Sequence, residues 1–206
     1  MSFTLIIIVI TTIVSISAWK NSSLFSSCVM HPYSIYRNNE YQRFIFSGFV
    51  HGSWGHLLFN MVTFFFFGRN VEYAFSYYFG SAGTYFFLAL YLLGIIVADI
   101  PSYWKNRTNP SYSAIGASGG VSSVLFASIL IDPLNQICLY FFICLPGFVL
   151  GSIYLVYSYF KGSDLSDRIN HDAHLYGALF GMVMTTILRP RFLMEFLDQL
   201  TRFSLF

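Results

Sequence analysis

Six long apolar runs, separated by short polar breaks, limit what this chain can fold into. They cover Phe3–Trp19, Gly52–Gly68, Tyr77–Ile100, Ser113–Ile131, Gln136–Phe160 and His171–Leu188, each within the roughly 17 to 25 residues that a helix needs to cross a bilayer. Lipid offers no partner to an unpaired backbone N–H or C=O, so such runs become helices, and they are too long for barrel strands. Hydrophobic residues make up 56% of the 206 residues and charged residues 10%. A soluble chain of this size has no interior that hides so much apolar surface. The expected fold class is therefore an all-α polytopic membrane protein, a six-transmembrane-helix bundle with residues 1–206 as one membrane domain in a lipid bilayer.

The net charge of +2 carries no basic cluster, which argues against a nucleic-acid partner. Cys28, Cys138 and Cys144 show no metal-ligand spacing, and the last two lie inside an apolar run. They are expected to be buried apolar fillers rather than a disulfide framework. The first run has its nearest cation, Lys20, at its far end; a signal peptide carries positive charge ahead of its apolar stretch, so a first membrane helix is expected. No cofactor and no metal is implied, and the sequence sets no oligomeric state.

Parity gives the runs a shared geometry. The second, fourth and sixth cross in the same direction, so their N-terminal ends meet at one membrane surface. His56 and Asn60, Ser118, and His174 all lie in the first turns of those three runs. They are expected to form one layer just below that surface. With a cytoplasmic N-terminus, Arg69, Arg189, Arg191 and Arg202 face inward, while Lys20, Arg37, Arg43, Lys105, Arg107, Lys161 and Arg168 face outward. The positive-inside rule leans against that orientation.

Each polar opening has two readings. Gly116-Ala117-Ser118-Gly119-Gly120 contains a G-x-S-x-G, a nucleophile pattern in soluble hydrolases that follow a strand, and no strand precedes it here. The same small residues, with Gly116 and Gly120 as a G-x-x-x-G, also let membrane helices pack closely. His174 begins a stripe with Gly177, Ala178 and Gly181, so it faces a closely approaching neighbour as a functional or a structural histidine. His56 and Asn60, at i and i+4, both donate hydrogen bonds and suit an oxyanion or an inter-helix bond. His51 and His171 are expected at the surface, solvated; a zinc site from the four histidines lacks a carboxylate or thiolate at helical spacing. Asp172, two residues from His174, points elsewhere on a helix; it suits the helix N-terminus behind a capping Asn170, which leaves a Ser–His dyad.

In these residues the chain resembles the rhomboid intramembrane serine proteases, as a bacterial-type six-helix member. His51-Gly-Ser-Trp-Gly-His56-Leu-Leu-Phe-Asn60-Met61 resembles the family's second-helix opening, Gly116-Ala117-Ser118-Gly119 its nucleophile motif, and Ala173-His174-Leu175-Tyr176-Gly177-Ala178-Leu179-Phe180-Gly181 its general-base helix. The resemblance implies a bundle with a short fourth helix, Ser118 as nucleophile and His174 as general base. It implies an oxyanion site of His56, Asn60 and the Ser118 backbone N–H. The implied activity is endoproteolysis of single-span membrane proteins, in a bacterial inner membrane with the site opening to the extracytoplasmic side, against the charge count. Two departures stand out: Ser122 occupies the place of a tyrosine that stacks on the base, and Gln42-Arg43 that of a Trp-Arg pair in the first loop. If Ser122 hydrogen-bonds His174 or a water instead of stacking on the base, Ser122→Ala is expected to lower the rate modestly. The loop Lys161–Arg168 is the expected cap over the site, its Gly and Ser allowing movement.

Two other classes compete. A non-catalytic relative that binds membrane clients usually lacks the serine or the histidine, and both are present. A transporter or channel needs polar residues continuing across the bilayer, whereas here they cluster at one end.

Overall fold

The computed structural model describes residues 2–139, 143–161 and 170–203. Its first helix, α1 (Phe3–Lys20), has no side-chain cap from its own sequence. Glu72, 68 residues onward, supplies one: its carboxylate accepts from the Phe3 and Thr4 N–H groups at 2.6 and 3.1 Å and from the Ser2 and Thr4 hydroxyls, each at 2.7 Å. Negative charge at a helix N-terminus complements the orphan N–H groups and the helix dipole. Glu72→Ala strands four donors and is expected to cost on the order of 1–3 kcal/mol, read as a lower thermal transition in detergent.

The connection after α1 is structured. Helix α2 (Ser22–Cys28), capped by Asn21, is followed by α3 (Pro32–Asn38), α4 (Arg43–Phe46) and a 3-10 turn, Ser47–Phe49. Arg43 ties the segment together: Nη1 donates to the Ser26 and Val29 carbonyls at 2.7 and 2.8 Å, and Nε donates to Glu40. Gln42 stands in place of a tryptophan, and the loop is held by Arg43 together with the Met30–Ala114 bridge and the contact of His31 with the Pro110 carbonyl.

Helix α5 (Trp54–Phe79) continues through the polar stretch Arg69–Ser76, where a break was expected. Both charges there have partners, Arg69 over the Phe65 ring and Glu72 on α1, so the helix has no reason to stop. It ends at Gly80, whose φ of 58° is left-handed. Helix α6 (Ala82–Asn106) likewise runs beyond Ile100, with Pro101 inside it. Helices α1 and α6 are long and apolar enough, by length and composition, to cross a membrane.

Helix α7 begins at Ser118 and ends at Ile131. Its 14 residues span about 21 Å, less than a bilayer core, so its N-terminus starts within the bundle. It sits at the centre, with Gly119 through Val124 and Phe126 through Leu130 all buried. The aromatic rings of Phe64, Phe87 and Tyr91 pack beside it, with Phe64 and Tyr91 centroids 4.6 Å apart.

The fifth apolar run departs from expectation. Its start forms a hairpin of β1 (Gln136–Leu139) and β2 (Ile143–Pro146), and helix α8 is confined to Gly147–Lys161. Pro146 lacks an N–H and disfavours a helical residue before it, while Ile137 and Ile143 favour extended backbone. Cys138 faces Cys144 across the hairpin and the two form a disulfide. They are exposed rather than buried fillers; Cys28 is the buried free thiol.

Helix α9 (His171–Leu188) starts at Asn170, whose side chain accepts from Ala173 N–H at 3.1 Å. After Pro190, α10 (Arg191–Arg202) turns back onto the bundle through buried Phe192. Arg189 lies over the Tyr78 and Phe192 rings, at 4.1 and 4.6 Å, and pairs with Glu195. Among the described residues the architecture is an all-α bundle with one small hairpin.

Candidate active site

Three backbone contacts position the approach to Ser118. Ala114 forms a bridge with Met30, Gly116 N–H donates to the Ser47 carbonyl at 3.0 Å, and Ala117 N–H donates to His51 Nε2 at 3.3 Å. Gly116 has φ of 117°, a conformation that favours glycine. A Cβ there would also lie 2.5 Å from His56 Cε1. The glycine thus lets the His56 ring approach within two residues of Ser118. Ser118 itself is the first residue of α7, partly accessible, among the orphan N–H groups of the helix start.

His56 stands in the first turn of α5, where Ser53 accepts its N–H at 3.2 Å. Asn60, one turn on and 3% exposed, donates from Nδ2 to the His56 carbonyl at 3.0 Å. An amide carries two donors, so one N–H of Asn60 is already engaged.

On α9, the small-residue stripe meets α7 backbone to backbone. Gly177 abuts the Gly119 carbonyl and Gly181 the Ser123 carbonyl, with no space for a Cβ at either. Ser123 Oγ bridges the seam, donating toward the Gly119 and Gly177 carbonyls at 3.0 and 2.9 Å. The close neighbour expected for His174 is thus the helix that Ser118 opens. Among the described residues no hydrogen bond links Ser118 to His174; such bonds are commonly long in unliganded enzymes and tighten on binding.

Asp172 does not orient His174: its carboxylate lies 3.6 Å from Lys105 Nζ, tying α9 to the end of α6. Among the described residues Ser122 makes no hydrogen bond to His174. Its hydroxyl is 3.3 Å from the Tyr154 hydroxyl, and the Tyr154 ring stacks on His174 with centroids 5.9 Å apart. Most of the expected cap, residues 162–168, lies outside the described residues.

His51 and His171 are buried, not solvated. His51 is 0% exposed. Because its Nε2 accepts from Ala117, its proton sits on Nδ1 and is donated to Ser15 Oγ at 3.0 Å, and Ser15 donates to the Phe49 carbonyl. Trp19 Nε1 closes the cluster on the His51 carbonyl at 2.6 Å. Burial, and secondarily the nearby His56 ring, push the His51 imidazole down to about 3. The unfolded histidine protonates near about 6.5, so the unfolded chain takes up a proton that the native site refuses. Stability is expected to fall as pH drops from about 6.5 toward about 3, in thermal melts across that range, and His51→Gln should flatten the slope. A slope unchanged in that variant would assign the loss to other groups.

Asp99 joins these residues from a position that no motif marks. It lies inside an apolar run, buried on α6, where it accepts from Ser47 Oγ at 3.3 Å. With Ser47, Asn170 and Ser118 it lines a small cavity that Ile95, Ile115 and Ala173 also wall. An ionisable residue inside a membrane run was the available signal.

Residues 38–191 match the rhomboid domain model. Over 158 residues the chain is 27% identical to the RHOMBOID-like protein 12, mitochondrial, of Arabidopsis thaliana, an alignment that covers 69% of this chain and 45% of that relative. The chain thus spans about half the length of the relative it matches. A match over most of the chain, on an all-α bundle whose short central helix opens at Ser118, makes this protein a membrane protein of the rhomboid family.

Proposed function

We propose that the chain is an intramembrane serine endopeptidase working as one membrane unit over residues 1–206, on single-span membrane proteins. The observation that carries this reading is the glycine seam that packs the helix of His174 against the helix opened by Ser118, with His56 against Gly116 at the same level. His174 takes the Ser118 proton as Oγ attacks the scissile carbonyl. The oxyanion then receives the Ser118 backbone N–H, the second Asn60 N–H and the His56 ring. The tetrahedral intermediate collapses to an acyl-enzyme, and the leaving amine takes the proton from His174. Water, deprotonated by His174, hydrolyses the ester. Walls of glycine and alanine suit small side chains at the cleaved bond. The site opens toward the N-terminal ends of α5, α7 and α9, the extracytoplasmic side in a bacterial plasma membrane. The relative's name is mitochondrial, so fractionation in the source cell tests the compartment.

A second reading is a client-binding protein without catalysis. That reading accounts for the absence, among the described residues, of a Ser118–His174 hydrogen bond without calling on a bound substrate to close it. A fluorophosphonate probe separates the two in the folded, detergent-purified protein. Adduct mapped to Ser118 is expected for the protease; a folded protein that takes up no probe favours the binder.

A further inference from the structure

Dyad histidines need a fixed ring plane, since a misplacement of about 1 Å is enough to cost about 100-fold in rate. Among the described residues no side chain hydrogen-bonds the His174 imidazole. Ring packing is what restrains it: Tyr154 lies on its face at 5.9 Å and 27°, and His171 meets its edge at 5.9 Å and 85°. Tyr154 is itself held on two further sides. Its hydroxyl meets Ser122 Oγ at 3.3 Å, and its ring packs against Phe126, one helical turn after Ser122, with centroids 6.0 Å apart. Aromatic rings lose little rotamer freedom when packed this way and favour offset stacking.

We propose that Tyr154 is the positioning residue for His174: carried on α8, clamped by Ser122 and Phe126 of the nucleophile helix, it sets the plane of the base. This rests on the protease reading above. Its consequence is that the base is aligned only while α8 is seated against α7 and α9. That helix is lightly seated, with Gly147, Gly151 and Ser158 its buried residues. Orientation of His174 thus depends on a neighbouring helix rather than on a carboxylate.

The test is the saturation kinetics of fluorophosphonate labelling on the full chain in detergent, beside a thermal melt of each variant. Tyr154→Leu is expected to lower the maximal labelling rate about 10-fold or more, with the half-saturating probe concentration nearly unchanged. Tyr154→Phe keeps the ring and is expected to stay within about three-fold of the wild type. Tyr154→Met, close in volume, replaces the leucine variant if that does not fold. A folded leucine or methionine variant with the wild-type rate overturns the proposal. So does a phenylalanine variant as slow as the leucine one. An unlabelled wild type overturns the protease reading itself, and this one with it.

Discussion

His174→Ala is expected to lower probe labelling of Ser118 about 100- to 10,000-fold while leaving the thermal transition near that of the wild type. The size follows from the role. A serine hydroxyl is a weak nucleophile at neutral pH, and a positioned base that removes its proton in the transition state supplies most of the activation. Little stability should be lost, because His174 is partly accessible and its ring, which packs against Tyr154 and His171, has no hydrogen bond to strand among the described residues. Ser118→Ala should abolish the adduct altogether. Substituting both residues should cost no more than Ser118→Ala alone, since residues that act as one unit are strongly non-additive. If His174→Ala labels at the wild-type rate, the serine is not activated by this histidine and the dyad is wrong.

The second large effect concerns packing. Gly177→Ala is expected to destabilise the fold by about 1–3 kcal/mol, in the range of overpacked cores, and Gly177→Val to leave little folded protein. The added Cβ of either variant meets the Gly119 carbonyl, which is backbone and cannot rotate away. Helix α9 must then move off α7, carrying His174 from Ser118, so labelling should fall together with stability. Gly55→Ala is the control: nothing lies within 4 Å of its Cβ position on α5, and such a change is expected to be neutral or stabilising by up to about 1 kcal/mol. Thermal melts of the three variants check the comparison. A Gly177→Ala variant as stable as the wild type would mean that the seam is looser than described.

Much of this was legible in the residues. The all-α membrane bundle follows from the six apolar runs, the resemblance to the rhomboid family came from the polar openings of the second, fourth and sixth, and the stripe of Gly177, Ala178 and Gly181 announced a close neighbour. Some misreadings fell where a residue's partner is distant in sequence. Glu72 looked like part of a loop because its partner, the α1 N-terminus, does not show in a local window. His51 looked solvated because its satisfaction depends on Ser15 and Ala117, from elements far along the chain. Cys138 and Cys144 looked like apolar filler because Pro146 and extended backbone turn their segment into a hairpin.

Sequence alone determined that the chain is a helical membrane protein and that His56, Asn60, Ser118 and His174 head alternate helices. That information is local: hydrophobic length, small-residue spacing and polar openings are properties of neighbouring residues. Tertiary structure alone decided which helix touches which. It placed α7 at the centre, turned Asp172 toward Lys105, buried Asp99 on a cavity shared with Ser118, and brought Tyr154 from another helix onto His174. Those contacts depend on how side chains from separate helices interdigitate in a close-packed interior, which no local pattern encodes.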